Sequence, residues 1–299
     1  MFEVIVNKIQ LFSLIGISIF LEAAPFLLIA VLLTALFEVF VPENWIERMI
    51  PKHKPLQIVY GLLLGLIFPT CECGVVPIAR KLIQKGFPIS MAITYMLAAP
   101  VINPIVLIST FFAFRFDSSM LIGRVAIILI VATITSGLIS RLGGNIIRSG
   151  HQNSHASLHV HEEHQQSKLK RVLHHASNDF LDMGKYLIAG AFAAALIKVA
   201  LPPNILTIFE TNMFSAIVGM MILAILLSVC SEADAFVAAS FISLPKAAQL
   251  SFVTIGPVFD LKLLAMFSGT FRRSVVIILV TAPFILNLVL CNLFGVLVE

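Results

Sequence analysis

The residues best suited to bind a ligand are Cys71, Glu72 and Cys73, which stand in a very apolar part of the chain. On a continuous helix, residues two apart point to nearly opposite faces, whereas in an extended segment they point the same way. The flanking Pro69 and Gly74 favour an interruption of the helix, so we expect the two thiols to converge. Thiolates are soft ligands that suit Cu(I), Zn and, by the same logic, trivalent arsenic. The triplet therefore predicts a substrate site, against the alternative of two inert thiols packed in a core.

A second polar cluster lies in the later half of the chain and contains Cys230, Glu232 and Asp234. We expect Cys230 to supply a third thiol, so that Cys71, Cys73 and Cys230 together could bind a metal or metalloid. Carboxylates at membrane depth are costly and mark functional sites by default. Glu232 and Asp234 are therefore candidates for proton coupling, with helix ends at the membrane surface as the alternative.

Four further polar residues recur at matched positions, Glu22 with Asp182 and Asn103 with Asp260. Glu22 and Asp260 join the candidates for proton coupling, and Asn103 is a candidate for substrate binding because it could hydrogen-bond across helices. Asp182 is predicted to form an ion pair with Lys185 at the membrane surface. Asp260 could instead neutralise the charge of a nearby lysine.

The elements that position these residues are predicted to be membrane-spanning helices. The chain is 59% hydrophobic and only 12% charged, and its mean hydropathy is +1.01. Apolar runs of about 20 residues or more indicate transmembrane helices. They cover residues 9–41, 88–114, 180–201, 211–229, 247–270 and 274–298. The predicted fold class is an all-α, polytopic integral membrane protein.

An internal repeat organises these spans. Cys71 has a counterpart 159 residues later in Cys230, and Asn103 has one 157 residues later in Asp260. The repeat predicts a first membrane repeat over residues 1–142, a linker over 143–175 and a second membrane repeat over 176–299.

The segments 57–85 and 211–243 can be interpreted in two ways. Each could cross the membrane once, or each could form a broken, re-entrant hairpin. The hairpin interpretation places 13 lysines and arginines on one face and 5 on the other, whereas single crossings divide them 10 to 8. The positive-inside rule favours the hairpins. Two inverted repeats of three spans plus a hairpin follow, six to eight spans in total, with the linker in the cytoplasm and both termini outside.

The linker holds seven of the eight histidines and has no apolar period, which indicates a largely disordered segment. Several of these histidines could capture a metal ion before transport, although a solvated tail is the commoner role of such a segment. The candidates are His151, His155, His159, His161 and His164.

The motifs Pro-Thr-Cys-Glu-Cys-Gly at 69–74 and Ala-Pro-Val-Ile-Asn-Pro at 99–104 resemble a known family. They are similar to those of the predicted permease family that includes the methylarsenite efflux permease ArsP. The resemblance covers both halves of the chain. It implies an efflux permease of the bacterial inner membrane whose substrates include trivalent organoarsenicals, and it supports a substrate-binding role for Cys71, Cys73 and Cys230.

The predicted function is a secondary efflux transporter of a thiophilic metal, metalloid or organoarsenical, and not an enzyme. One alternative is an intramembrane thiol-redox enzyme. Another is a non-transporting membrane subunit of a partner complex. The chain has no nucleotide-binding motif, and neither a cofactor nor a nucleic-acid partner is expected. The expected partners are the lipid bilayer, the substrate, and a second copy of the chain or another membrane protein.

Overall fold

The computed structural model describes residues 2–40, 53–67, 70–142, 146–147, 168–200 and 212–298. These residues form twelve helices. The first six are α1 (Phe2–Phe40), α2 (Lys54–Ile67), α3 (Glu72–Gln84), α4 (Ile89–Ile102), α5 (Pro104–Ala113) and α6 (Ser118–Arg141). The last six are α7 (Lys168–Ala200), α8 (Met213–Leu227), α9 (Asp234–Ser240), α10 (Lys246–Ile255), α11 (Leu261–Thr270) and α12 (Arg273–Val298).

Length and composition confirm the prediction of an all-α, multi-pass membrane protein. The described residues contain five helical segments that are long and apolar enough to cross a membrane. They are Asn7–Leu36, Ile89–Ala113, Ser118–Arg141, Val172–Val199 and Arg273–Val298. The apolar run 247–270, expected as one span, is divided into α10 and α11. The run 211–229 forms the 15-residue helix α8.

Two polar residues at matched positions lie at the breaks between consecutive short helices. One break separates α4 from α5, and the other separates α10 from α11. Asn103 ends α4 and caps α5, because its side-chain oxygen accepts a hydrogen bond from the Ile105 amide at 3.0 Å. Asp260 caps α11 in the same way, accepting from the Leu263 amide at 2.7 Å. A side-chain cap satisfies an amide at the start of a helix that has no partner within the helix. Both residues therefore stabilise a new helix start inside the protein core.

The first six helices, α1–α6, and the last six, α7–α12, form two sets that contact each other through equivalent helices. The helix α1 packs against its counterpart α7, and α6 packs against its counterpart α12. Across the two sets, α3 contacts α11. Their counterparts, α9 for α3 and α5 for α11, also contact each other. Such reciprocal contacts are the pattern that a pseudo-two-fold relation between two repeats produces.

Polar contacts tie the two sets together at the ends of the helices. Lys246 at the start of α10 donates to Asp117 Oδ2 at 2.6 Å, and Asp117 also caps α6 through the Ser119 amide at 2.9 Å. Two hydrogen bonds lower the pKa of Asp117 to about 2. The larger contribution comes from the Lys246 ammonium and the next from the Ser119 hydroxyl. At the other end of α6, the Arg272 amide donates to the Ile146 carbonyl at 3.0 Å.

Two arginines that entered the charge count as membrane-surface residues are buried. Arg80 is 4% exposed inside α3, and Arg124 is fully buried inside α6. A guanidinium buried inside the protein does not report which side of the membrane a loop occupies. Without these two residues the count of the hairpin interpretation becomes 12 to 4, so the bias toward one face remains.

Candidate functional site

The Cys-x-Cys segment forms the start of a helix in the interior of the protein. Cys71 has an extended backbone and is the residue before α3, and Glu72 and Cys73 occupy its first turn. The hydroxyl groups of Thr70 and Tyr95 hydrogen-bond at 3.0 Å, which holds the segment that leads into Cys71 against α4. All three residues of the triplet are buried. The predicted interruption of the helix is therefore present at Cys71.

Glu72 is the centre of a buried ionic cluster that joins the two sets of six helices. Its Oε1 lies 3.3 Å from the Lys262 ammonium of α11. Its Oε2 accepts a hydrogen bond from the Ser231 hydroxyl at 3.0 Å and from the Ser231 amide at 3.4 Å. Lys262 also lies 3.5 Å from Asp260 Oδ2. Glu72 and Ser231 are 159 residues apart, the same offset as between Cys71 and Cys230, so two positions related by this offset touch each other here.

A small cavity collects most of the predicted binding residues. Its volume is about 10 Å³, and it is lined by residues of α1, α3 and α11 and of the segment before α9. The polar residues that line it are Glu22, Cys71, Glu72, Cys73, Cys230 and Lys262. A cavity of this volume holds at most about one water molecule. The helices around the cavity must therefore separate before a larger substrate can enter.

The three thiols at this cavity are free cysteines. Cys71 and Cys73 lie at the start of α3 and line the same cavity. The Cys230 thiol, which also lines it, donates to Glu232 Oε2 at 2.9 Å. In the part of the chain that the structure describes, no three His, Cys, Asp or Glu side chains form a group that could hold a metal ion. The predicted metal ligands Cys71, Cys73 and Cys230 therefore share a cavity without forming a closed metal site.

Two glycines allow the helices to approach the cavity closely. A Cβ atom on Gly74 would lie 2.9 Å from Ala30 Cβ, where α1 crosses the start of α3. A Cβ atom on Gly190 would lie 2.7 Å from the Cα atom of Lys262, where α7 crosses the start of α11. Atoms that close would force the backbones apart. The glycines therefore let α1 and α7 cover the ionic cluster from two sides.

Some predicted site residues lie elsewhere. Asp234 forms a bidentate ion pair with Arg124, with N–O distances of 3.0 and 2.7 Å, and both side chains are buried. Arg124 also donates to Thr110 Oγ1 at 2.6 Å. Asn103 and Asp260 cap helices, as described above, so the Asn103 oxygen is engaged by backbone and does not line the cavity. His151, His155, His159, His161 and His164 are outside the described residues.

The Lys185–Asp182 ion pair and Cys291 also lie outside the cavity. Lys185 and Asp182 form the predicted ion pair at 3.0 Å on the surface of α7. Cys291 is fully buried in α12, where its thiol lies 3.5 Å from Asn287 Oδ1. Cys291 therefore belongs to the helix packing and not to the cavity.

Three residues of the buried polar clusters were not among the predicted site residues. The sequence predicts Lys262 only as a charge that neutralises a local field and Arg124 only as a surface charge. It gives Ser231 no role beyond its place next to Cys230. A signal for Lys262 and Arg124 did exist, because each is a cation inside an apolar run, and such cations pair with buried carboxylates. For Ser231, the offset of 159 residues from Glu72 was a signal that the two repeats could meet there.

The fold and the site define a multi-pass, all-α membrane protein with paired charges and free thiols buried where interrupted helices meet. The profile of the ArsP_1 family, described as predicted permeases, matches residues 8–299. The chain belongs to this predicted permease family.

Individual relatives agree with this assignment. The UPF0718 protein YcgR of Bacillus subtilis is 39% identical over 269 residues, which are 89% of this chain and 91% of YcgR. A Streptococcus mutans protein, named as a proposed subunit of a two-component membrane permease complex, is 35% identical over 288 residues, 95% of this chain and 94% of that protein. The UPF0718 protein YraQ of Escherichia coli K12 is 24% identical over 108 residues, 36% of this chain and 31% of YraQ. No solved structure matches the chain with statistical significance.

Proposed function

We propose that this permease exports a thiophilic substrate across the bacterial cell membrane, with Cys71, Cys73 and Cys230 as the binding thiols. The observation that carries the proposal is that these three free cysteines, from both repeats, line one buried cavity. A site between two repeats, formed by interrupted helices, is the usual place for a substrate in secondary transporters. We also propose that the repeats are inverted, with the histidine-rich linker in the cytoplasm.

The chemistry of the thiols favours a neutral trivalent arsenical over a bare metal cation. The charges do not carry this preference, because the carboxylates of Glu72 and Asp260 outnumber the single Lys262 ammonium. A dihydroxy organoarsenical and two thiols would form two As–S bonds and release two water molecules, with no change in net charge. A divalent cation would instead have to displace thiol protons into a buried space, which is unfavourable. Trivalent organoarsenicals are therefore the first substrate class to test, followed by Cu(I), Zn²⁺ and Cd²⁺.

The decisive experiment is an accumulation assay in cells that lack their own arsenic and metal exporters. Wild-type protein is expected to lower the cellular content of methylarsenite, and the Cys71→Ser/Cys73→Ser variant is expected to lose this effect. Cys291→Ser is the matched control, because it removes a buried cysteine outside the cavity. Cys230→Ser tests the contribution of the second repeat.

Two outcomes would contradict this proposal. If cells that express the wild-type protein accumulate each of these substrates to the same level as cells without the protein, the thiophilic substrate class is wrong. If Cys71→Ser/Cys73→Ser exports as well as Cys291→Ser, the cysteine pair is not the binding site.

A second candidate function is that of a subunit in a membrane complex. The name of the Streptococcus mutans relative favours it. Deletion of residues 148–167, which spares Ile146 and the start of α7, distinguishes the two functions. A permease that works alone should keep its export activity, whereas a subunit that docks its partner through the linker should lose its function. Purification in mild detergent followed by mass spectrometry would detect a partner that is present in stoichiometric amount.

A further inference from the structure

A second cavity, which none of the cysteines lines, is a groove between α6 and α12. Its volume is about 520 Å³, and its walls are apolar side chains from both helices. They include Ile134 and Leu138 of α6 together with Ile278, Ala282 and Ile285 of α12. The volume falls in the range of pockets that take small organic molecules. These walls suit hydrocarbon chains and offer little to a polar solute.

One end of the groove is strongly basic. Arg141, the last residue of α6, lines the groove itself. Arg272 and Arg273 belong to the same end, because the Arg272 amide bonds to Ile146, five residues after Arg141. Arg273 begins α12, and the helical rise places it only about 7.5 Å along the helix from Ile278. All three arginines are exposed.

These arginines have no carboxylate of the described residues as an ion-pair partner. The cluster is therefore a concentrated positive charge at the mouth of an apolar groove. A guanidinium group binds phosphate with two parallel hydrogen bonds. Basic pockets between transmembrane helices commonly bind the head groups of anionic lipids.

We propose that this groove binds an anionic phospholipid, with its acyl chains along α6 and α12 and its phosphate at Arg141, Arg272 and Arg273. A zwitterionic lipid could fill the same apolar groove, but its quaternary amine would oppose the arginines. Charge complementarity thus selects the anionic lipid. The cysteines have no part in this proposal, which stands or fails separately from the substrate.

The test is native mass spectrometry of the full-length chain in detergent, with either dioleoyl phosphatidylglycerol or dioleoyl phosphatidylcholine added. Wild-type protein should retain phosphatidylglycerol preferentially. Each arginine near a membrane surface contributes about fivefold to the binding of an anionic lipid. Arg141→Gln/Arg273→Gln should therefore reduce the preference about 25-fold by the same reasoning.

Arg115→Gln is the matched control, because Arg115 is an exposed arginine just before the opposite end of the 24-residue helix α6. It should leave the lipid preference unchanged. Ala282→Phe should fill the groove and lower the retention of both lipids, whereas Leu293→Phe, on an exposed part of α12, should not. Soluble glycerol 3-phosphate in excess should fail to displace the bound lipid.

Four results would overturn the proposal. They are equal retention of the two lipids by the wild type, an unchanged preference in the double arginine variant, displacement by glycerol 3-phosphate, and a membrane protein that copurifies in place of the lipid and is lost in Ala282→Phe. The last result would make the groove a protein interface.

Discussion

At the scale of single residues, the core of this permease is defined by two buried ionic clusters. One contains Glu72, Lys262 and Asp260 at the thiol cavity, and the other contains Arg124 and Asp234. Isolated charges are very costly inside a protein within a membrane, and pairing with hydrogen bonds makes them tolerable. The two clusters have different roles to test, since only the first lines the cavity that contains the cysteines.

Breaking the Arg124–Asp234 pair should destabilise the protein strongly. Arg124→Met leaves the Asp234 carboxylate buried without its partner, and such a loss typically costs about 3–5 kcal/mol. Lys185→Met is the control, because the Lys185–Asp182 pair is on the helix surface and its loss should cost under about 1 kcal/mol. Thermal unfolding in detergent micelles would measure both. An equal effect of the two variants would show that burial of the pair has no energetic importance.

Glu72 should couple transport to protons. Its carboxylate is held by Lys262 and Ser231, and a proton on it would weaken the ion pair that joins α3 to α11. Glu72→Gln should keep the hydrogen bonds from Ser231, lose the ion pair with Lys262, and lose the acceleration of export by a pH gradient. Transport by purified protein in liposomes, with and without the gradient, would measure this. If Glu232→Gln loses the acceleration and Glu72→Gln keeps it, Glu232 is the coupling residue instead.

At the scale of helices, the main feature is that helices start and end inside the core of the protein. The helix starts at Cys71, Asn103 and Asp260 place helix ends inside the core, where the first amides need partners. Side-chain caps supply those partners at Asn103 and Asp260, and short helices replace the long spans that the hydropathy of the chain predicts. The cavity lies beside two of these starts, those of α3 and α11.

Removing a cap should cost a moderate amount of stability. Asn103→Ala should lower the free energy of unfolding by about 1 kcal/mol, because an amide of α5 loses its acceptor. Asp260→Asn keeps a capping oxygen but removes a counter-charge of Lys262, and Asp260→Ala removes both. The expected order of unfolding temperatures is therefore wild type, Asp260→Asn, then Asp260→Ala. If Asp260→Asn and Asp260→Ala unfold at the same temperature, the cap of α11 contributes nothing.

At the scale of the whole molecule, two sets of six helices meet in reciprocal contacts. The thiol cavity lies where the two sets touch, at Glu72 and Ser231. Movement of one set against the other would therefore change this contact directly. Such rocking is the usual basis of alternating access in transporters built from inverted repeats.

The proposed inverted arrangement predicts that the linker and the N-terminus lie on opposite sides of the membrane. A membrane-impermeant maleimide should label Lys8→Cys in intact cells, and should label His155→Cys only after lysis. Wild-type protein gives the background, because its four cysteines are buried. Labelling of both positions from outside would instead indicate four crossings in each half, with repeats in the same orientation.

The sequence by itself determined the fold class, the family, the interrupted helix at Cys71 and the candidate thiols. These features depend on local composition and on short motifs: apolar length predicts spans, and Pro, Gly and Asn predict interruptions. The same local rules can also predict the caps at Asn103 and Asp260, although the sequence pattern favours ligand binding and proton coupling for these side chains.

Only the tertiary structure decided which charges meet. Glu72 and Lys262 are 190 residues apart, and Arg124 and Asp234 are 110 residues apart. Ion pairing depends on separation in space, which is set by the packing of helices from both repeats and not by distance along the chain. For that reason Asp234 pairs with Arg124 away from the cavity, whereas Lys262, assigned only to a local field, lies beside the thiols.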